Sequence, residues 1–142
     1  MDPIDRGNDL ILIVDDHDDT RELFAELLSF DGFSVVSAAT GADALALVRE
    51  HRPCLILLDL GLPDIGGLDL VLRLRAEPNT ATVPIYALSG FSNLRSAALA
   101  AGIDGFLIKP VTGTELRTIV AQHCATQPPP LLAEPLPLPP SA

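Results

Sequence analysis

The sequence predicts an α/β domain in which helices cover both faces of a five-stranded parallel sheet. Five short apolar segments recur along the chain, and four of them are continuously apolar rather than alternating. Continuous apolar segments are typical of strands that are buried on both faces of a parallel sheet. The segments between them carry apolar residues at helical spacing. Strands that alternate with helices in this way indicate a doubly wound sheet.

The five predicted strands all end at the same edge of this sheet. They span Leu10 to Val14, Phe33 to Ala38, Leu55 to Leu58, Ile85 to Leu88, and Gly105 to Ile108. The second strand is less purely apolar, which predicts a place nearer the edge of the sheet. Right-handed crossovers bring all five carboxyl ends to one side, and ligands of such sheets bind there.

Five helices are predicted from helical spacing, caps and stop residues. Asp18 or Asp19 is expected to cap the first, and Thr40 precedes the second, which stops before Pro53. The other three run from about Gly67 to Ala76, from about Asn93 to Ala101, and from about Thr114 to Cys124. The expected inward residues are, in chain order, Leu23, Phe24, Leu27 and Leu28; Ala44, Leu45 and Val48; Leu68, Val71, Leu72 and Arg75; and Leu116, Ile119 and Val120.

Length and composition favour one domain with short extensions. The chain has 142 residues, of which 48% are hydrophobic, so it can bury one core. We expect an N-terminal extension at 1–8, the domain at 9–125, and a Pro-rich, disordered tail at 126–142. The net charge of −10 argues against nucleic-acid and anionic-membrane partners.

The sequence also suggests where the protein works. Its start resembles no secretory signal, and no apolar run approaches the about 18 residues of a membrane span, so we expect a cytoplasmic protein. Cys54 and Cys124 lie 70 positions apart and have no metal-type spacing. In a reducing cytosol we expect both to be free thiols.

Polar residues follow four of the predicted strands and should meet at the carboxyl edge. They are Asp15 with Asp16, then Asp59, Ser89, and Lys109, which is the only lysine of the chain. Three converging carboxylates repel each other unless a cation such as Mg²⁺ joins them. A carboxylate beside Mg²⁺ can attack phosphorus to give an aspartyl-phosphate. A lysine ammonium and a serine hydroxyl then stabilise the phosphoryl oxygens.

The chain resembles the response regulator receiver family over roughly residues 9–124. The matching segments are ILIVDD at 11–16, LILLD at 55–59, LPDIGG at 62–67, ALSG at 87–90 and GFLIKP at 105–110. The resemblance implies a flavodoxin-like strand order, 2-1-3-4-5. It also implies a receiver of a two-component or phosphorelay system, which assists its own phosphorylation and dephosphorylation but is not otherwise an enzyme.

By position, the resemblance implies a role for each site residue. Asp59 corresponds to the phosphoacceptor. Mg²⁺, or Mn²⁺, would be bound by Asp16, by Asp59 and by the backbone carbonyl of Gly61, while Asp15 would act through water or orient the site. Lys109 corresponds to the phosphate partner and would precede a cis peptide bond to Pro110.

The resemblance further implies a switch and two classes of partner. Ser89 corresponds to a hydroxyl that moves to the phosphoryl group, and Phe106 to an aromatic ring that then turns inward. A histidine kinase or phosphotransfer protein would supply the phosphoryl group. A downstream protein would bind the face formed by helix 4, strand 5 and helix 5. Ser89 could instead cap a helix, and Phe106 could be ordinary core.

Two alternative functions stay open at this point. Asp16-His17-Asp18-Asp19-Thr20 fits the motif of haloacid-dehalogenase-type phosphohydrolases, with Asp16 as nucleophile, although a second acidic motif is missing. A binding module that works without phosphorylation is the other alternative. His17 is expected to be a solvent-facing rim residue rather than a metal ligand, and His51 and His123 are expected at the surface.

Overall fold

The computed structural model describes residues 9–124, and these residues form the predicted parallel sheet. The strands are β1 Leu10–Val14, β2 Ser34–Ala38, β3 Leu55–Asp59, β4 Ile85–Ser89 and β5 Gly105–Ile108. Their order is β2-β1-β3-β4-β5, and every pairing is parallel, which confirms the predicted flavodoxin-like order. Val14 pairs with Leu58, and Asp59 pairs with Leu88, so the central strands end side by side.

Five helices connect and follow the strands, as predicted. They are α1 Asp18–Phe30, α2 Gly41–Glu50, α3 Gly67–Ala76, α4 Arg95–Ala101 and α5 Gly113–His123. The fourth begins two residues later than the sequence predicts, because Ser92–Leu94 wind as a 3₁₀ turn before it. Among residues 9–124, none of the helices has the length and hydropathy of a membrane span.

The core consists of two apolar layers, one on each face of the sheet. Leu12 and Ile56 face the layer under α2, α3 and α4, whereas Ile11 and Leu57 face the layer under α1 and α5. All four side chains are 1% exposed or less. Successive strand residues point to opposite faces, so burial on both faces explains why β1 and β3 are continuously apolar.

Two predicted helix faces are partly wrong. Leu23 of α1 is 63% exposed and Leu72 of α3 is 55% exposed, although both were expected to point inward. In α3, Leu70 and Leu74 take the inward places and are fully buried. The rotation of α3 about its axis is set by close packing of Gly67 against Leu60. A Cβ atom on Gly67 would lie 2.5 Å from the Cα atom of Leu60.

Arg75, also predicted on the inward face of α3, connects elements rather than filling the apolar layer. Its guanidinium donates to the carbonyls of Val83 at 2.6 Å and Gly102 at 2.9 Å, and to the carboxylate of Asp104 at 2.8 Å. These acceptors lie beside β4 and β5. Arg75 therefore joins α3 to the far half of the sheet through charge-assisted hydrogen bonds.

The helix caps differ partly from the prediction. His17, not Asp18 or Asp19, is the N-cap residue of α1, and the two aspartates lie in its first turn. Carboxylates there interact favourably with the positive end of the helix dipole. Thr40 caps α2 as predicted, since its hydroxyl accepts from the amide of Asp43 at 3.1 Å.

The prediction of two free thiols is wrong, because Cys54 and Cys124 form a disulfide. Cys54 lies directly before β3, and Cys124 caps the end of α5. The fold brings their Cα atoms to 5.4 Å, within the range of disulfides, and a spacing of 70 positions cannot reveal this. The predicted extension at 1–8 and the tail from 126 onward lie outside the described residues.

Candidate functional site

The carboxyl edge of the sheet brings together the polar residues that follow the strands. Backbone hydrogen bonds continue beyond the strand ends: Asp15 donates to the carbonyl of Ala38 at 3.0 Å, and Lys109 donates to the carbonyl of Ser89 at 2.8 Å. The pleat and register of the sheet therefore fix the backbone positions of Asp15 and Lys109. Asp15, Asp59 and Ser89 are each at least 96% buried.

Three carboxylates and one imidazole form a compact cluster at this edge. One oxygen from each of Asp15, Asp16 and Asp59, and the Nδ1 atom of His17, all lie within 4.8 Å of one another. Within the described residues, the buried Oδ2 of Asp15 and Oδ1 of Asp16 accept no hydrogen bond. Buried carboxylate oxygens without donors are costly unless a cation neutralises them. The donor set therefore fits a divalent cation that prefers oxygen ligands.

Lys109 brings a positive charge to the cluster. Its Nζ atom lies 3.1 Å from Oδ2 of Asp59 and 3.6 Å from Oδ2 of Asp15. The peptide bond between Lys109 and Pro110 is cis, as the resemblance implies. The chain uses arginine at eight other positions; an ammonium is a compact point charge, whereas a guanidinium is a wide planar fork.

The two oxygens of Asp59 have different surroundings. Oδ1 accepts a hydrogen bond from the amide of Gly61 at 3.0 Å, whereas Oδ2 faces Lys109. A Cβ atom on Gly61 would lie 3.6 Å from Oδ1, which is ordinary contact. The structure thus assigns to Gly61 an amide contact with Asp59 that the sequence analysis did not foresee.

His17 departs from its expected orientation. Its side chain is 65% exposed, as expected of a rim residue, but its Nδ1 atom points at the carboxylates. Nδ1 lies 2.9 Å from Oδ1 of Asp15, 3.3 Å from Oδ1 of Asp16 and 3.9 Å from Oδ2 of Asp59. The hydrogen bond to Asp15, followed by the charge of Asp16, raises the pKa of His17 above its usual value. In the sequence, the position of His17 directly after Asp15 and Asp16 was the available indication of these contacts.

Ser89 is bound to its own loop. Its Oγ atom accepts from the amide of Phe91 at 3.0 Å and donates to the carbonyl of Phe91 at 3.2 Å. The hydroxyl borders a cavity of about 320 Å³ that is also lined by Asp59, Gly61 and Lys109. The exposed ring of Phe91 forms another part of this lining. Gly61 and Phe91, two residues after Asp59 and Ser89 respectively, therefore both border the cavity.

The other predicted residues lie away from the cluster. Phe106 is half-buried in β5 and packs against the layer under α2, α3 and α4. His123 is half-buried rather than at the surface, because its Nε2 atom lies 2.9 Å from the hydroxyl of Tyr86. His51 is half-buried after the end of α2.

Sequence reasoning missed two polar contacts beside the cluster. The guanidinium of Arg21 donates to the carbonyl of Asp15 at 2.8 Å, which holds the end of β1 against α1. Asp64 accepts from the amides of Gly41 and Ala42 at 2.9 and 3.0 Å. These two hydrogen bonds lower the pKa of Asp64. An aspartate within a loop gives no sequence signal for a cap on a distant helix.

A larger cavity adjoins the other side of Lys109. It measures about 430 Å³ and lies between α1 and the segment after β5, with Leu23, Phe24 and Val111 among its lining residues. Leu23, which does not join the core, lies at the rim of this cavity. The cavity gives the site an apolar neighbour.

Comparisons with known proteins agree with this geometry. Residues 11–121 match the response regulator receiver domain. The chain is 40% identical over 108 residues to the transcriptional regulatory protein PrrA of Mycobacterium tuberculosis, and this alignment covers 75% of the chain and 46% of PrrA. The chain thus spans about half the length of this relative.

Two solved structures are similar to the fold. The chemotaxis protein CheY4 of Vibrio cholerae has a TM-score of 0.76 at 27% identity, with coverage of 80% of this chain and 97% of that one. The receiver domain of the sensor histidine kinase PA1611 of Pseudomonas aeruginosa has a TM-score of 0.74 at 30% identity, with coverage of 82% and 97%. That structure has a magnesium ion coordinated in its active-site cleft. These comparisons give no support to the phosphohydrolase or to the phosphorylation-independent alternative.

Proposed function

Because the chain belongs to the response regulator receiver family of two-component signalling, we propose that Asp59 accepts a phosphoryl group from the phosphohistidine of a histidine kinase or phosphotransfer protein. One observation carries the assignment to Asp59. Its carboxylate borders a cavity of about 320 Å³, with Oδ1 held by the amide of Gly61 and Oδ2 paired with Lys109. A buried, oriented carboxylate is suited to act as a nucleophile.

The chemistry transfers one phosphoryl group between two side chains. A carboxylate oxygen of Asp59 forms a bond to phosphorus, and the P–N bond of the donor phosphohistidine breaks, with its electron pair leaving on the imidazole. Lys109 then pairs with a phosphoryl oxygen, since its Nζ atom already lies 3.1 Å from Asp59. Hydrolysis of the acyl phosphate releases inorganic phosphate and restores the carboxylate, so the chain acts as a signalling phosphoacceptor.

The acidic cluster would hold Mg²⁺ or Mn²⁺ through Asp15, Asp16 and Asp59, with the backbone carbonyl of Gly61 as a further ligand. The two buried oxygens that lack donors, on Asp15 and Asp16, support this assignment, as does the magnesium ion in the PA1611 receiver. When bound, such an ion neutralises negative charge on the carboxylates and on the phosphoryl oxygens.

Phosphorylation would be read out through Ser89 and Phe106. The hydroxyl of Ser89 leaves the backbone of Phe91 and binds the phosphoryl group, and the half-buried ring of Phe106 turns further inward. This is a population shift between two packings. It changes the α4–β5–α5 face, where Leu99 and Ile108 are 46% and 45% exposed, and a downstream protein binds there.

The proposal also covers the docking site of the phosphodonor protein, the partners that the charge disfavours, and the location of the protein in the cell. The apolar cavity between α1 and Val111 adjoins Lys109, so it is suited to receive the phosphodonor protein. The net charge of −10 disfavours nucleic acid and anionic membranes. We place the protein in the cytoplasm, as a receiver domain over 9–125 with a Pro-rich tail over 126–142.

Intact-mass spectrometry tests the phosphoacceptor. The protein is incubated with acetyl phosphate, with and without Mg²⁺, as the wild type, Asp59→Asn and the control Asp69→Asn, whose carboxylate lies exposed on α3. We expect a single phosphoryl adduct in the wild type and the control, only with Mg²⁺, and none in Asp59→Asn. An adduct that survives Asp59→Asn, or no adduct on the folded wild type, would contradict the proposal.

A further inference from the structure

His17 has an inward-facing nitrogen that the proposed phosphotransfer does not use. Its Nδ1 atom is one of the four potential ligand atoms that lie within 4.8 Å of one another. The other three are carboxylate oxygens, one each from Asp15, Asp16 and Asp59. The buried Oδ2 of Asp15 and Oδ1 of Asp16 accept no hydrogen bond from the described residues, so these two oxygens lack the partner that a bound cation would supply.

The backbone of His17 is held in place by hydrogen bonds on both sides. Its amide donates to Oδ1 of Asp15 at 2.8 Å, and its carbonyl accepts from the amide of Arg21 at 3.1 Å. The residue is the N-cap of α1, with extended dihedrals of −89° and 116°, and its side chain makes no capping bond. The Cα position is therefore fixed beside the carboxylates, and the imidazole directs its Nδ1 atom at Oδ1 of Asp15, 2.9 Å away, rather than at the helix amides.

We propose that His17 is a metal ligand of this site and that its imidazole nitrogen makes the site selective for transition-metal cations, such as Mn²⁺ and Ni²⁺, over Mg²⁺. The inference rests on the metal site of the proposed function and extends it to one more ligand. Mg²⁺ prefers oxygen ligands and keeps its water. Imidazole suits first-row transition metals, whose affinities rise from Mn²⁺ to Ni²⁺. Three carboxylates with one imidazole form such a mixed oxygen and nitrogen set.

A second role for His17 would give the opposite result. If the imidazole only supplied positive charge to the carboxylates, it would compete with every divalent cation. Its removal would then strengthen the binding of Mg²⁺ and Ni²⁺ alike. If it is a ligand, its removal weakens Ni²⁺ binding and leaves Mg²⁺ binding much less affected. The ratio of the two affinities therefore separates the two roles.

Calorimetric titration of Mg²⁺ and Ni²⁺, with all variants at one pH, measures this ratio. His17→Ala is compared with the wild type and with His51→Ala, which lies after α2 and away from the site. We expect the ratio of Ni²⁺ to Mg²⁺ affinity to fall by about tenfold or more in His17→Ala, with no such fall in His51→Ala. A smaller fall, or a gain in affinity for both ions, would overturn the inference.

Pulsed EPR of the Mn²⁺-loaded wild type gives a readout that needs no variant to fold. A directly coordinated ¹⁴N signal supports the inference, and its absence overturns it. Neither measurement uses a phosphodonor. A nitrogen signal without an Mg²⁺-dependent phosphoryl adduct would overturn only the proposed function, whereas an adduct without the nitrogen signal would overturn only the role of His17.

Discussion

At the scale of single residues, the site is defined by an imbalance of charge. Three carboxylates converge at the carboxyl edge, and Lys109 lies 3.1 Å from one of them. The amide of Gly61 occupies the other oxygen of Asp59, so Oδ2 and the ammonium border the cavity together. In the proposed function, an incoming phosphoryl group would then have its charge partner in place. Preorganised charge of this kind stabilises a transition state without further rearrangement.

Substitution of Lys109 should therefore slow phosphorylation more than it affects folding. For Lys109→Ala we expect the initial rate of adduct formation with acetyl phosphate and Mg²⁺ to fall by about 10²-fold or more. Lys109→Arg should recover only part of that rate, because a guanidinium fork cannot take the place of a compact ammonium. The rates are measured by intact-mass spectrometry over time. Arg73→Ala, which removes an exposed charge paired with Asp69 on α3, is the matched control, and equal rates in Lys109→Ala and Arg73→Ala would contradict the role.

Most of these residues could be predicted because their places depend on topology alone. Asp15, Asp59, Ser89 and Lys109 each follow or end a strand, and parallel strands end at one edge. The direction of the His17 imidazole could not be predicted in this way. It depends on the N-cap backbone and on one hydrogen bond to Asp15, neither of which is encoded by strand position.

At the scale of elements, α2 begins beside the loop that follows β3. Asp64 accepts from the amides of Gly41 and Ala42, and Thr40 accepts from the amide of Asp43. The first three amides of α2 therefore all have acceptors, although helix starts ordinarily leave such donors unpaired. The contact also anchors the loop that carries Gly61 near Asp59.

The Asp64 cap should make stability depend on pH in one direction. Its pKa is lowered from 3.8 by the two amides, so its stabilising effect is present above the unfolded value. That effect is lost as the pH falls through the lower folded value. We expect Asp64→Asn to lower the melting temperature at neutral pH, and this difference from the wild type to shrink as the pH falls below about 3.8.

Thermal melts across this pH range check the prediction. Asp69→Asn serves as the control, because its carboxylate contacts only an exposed arginine of the same helix. A difference between Asp64→Asn and the wild type that stays constant with pH would mean that the carboxylate charge is not responsible.

The packing of the helices also explains which buried helix faces could be predicted from the sequence. In α5, buried Leu116, Ile119 and Val120 match the predicted face because the other residues between Thr114 and Thr118 are polar and leave one apolar face. The segment of α3 has leucine or valine at five of its first eight positions, so periodicity alone does not define one face. The close contact between Gly67 and Leu60 determines which face of α3 is buried, and that contact depends on tertiary structure.

At the scale of the whole molecule, the two ends of the sheet have different roles. The carboxyl ends gather the polar cluster, whereas the opposite edge carries the disulfide between Cys54, just before β3, and Cys124, at the end of α5. Cysteine spacing gave no indication of this link, because only the folded chain brings the two positions together. The disulfide joins positions 70 residues apart, and the loop between them contains β3, β4 and β5 together with α3, α4 and α5. It therefore restricts the unfolded chain over half of the domain.

Loss of the disulfide should lower stability while leaving the site able to react. We expect reduction, or the double substitution Cys54→Ser with Cys124→Ser, to lower the free energy of unfolding by about 2–4 kcal/mol. The dependence of that free energy on urea concentration should also steepen, because the unfolded chain without the crosslink exposes more surface. Urea unfolding of the oxidised, reduced and substituted proteins measures both quantities.

The Mg²⁺-dependent phosphoryl adduct should persist in all three, since the crosslink lies at the edge of the sheet opposite Asp59. Equal stability of the oxidised and reduced proteins would contradict the stabilising role, and loss of the adduct from the folded, reduced protein would mean that the two edges of the sheet are coupled.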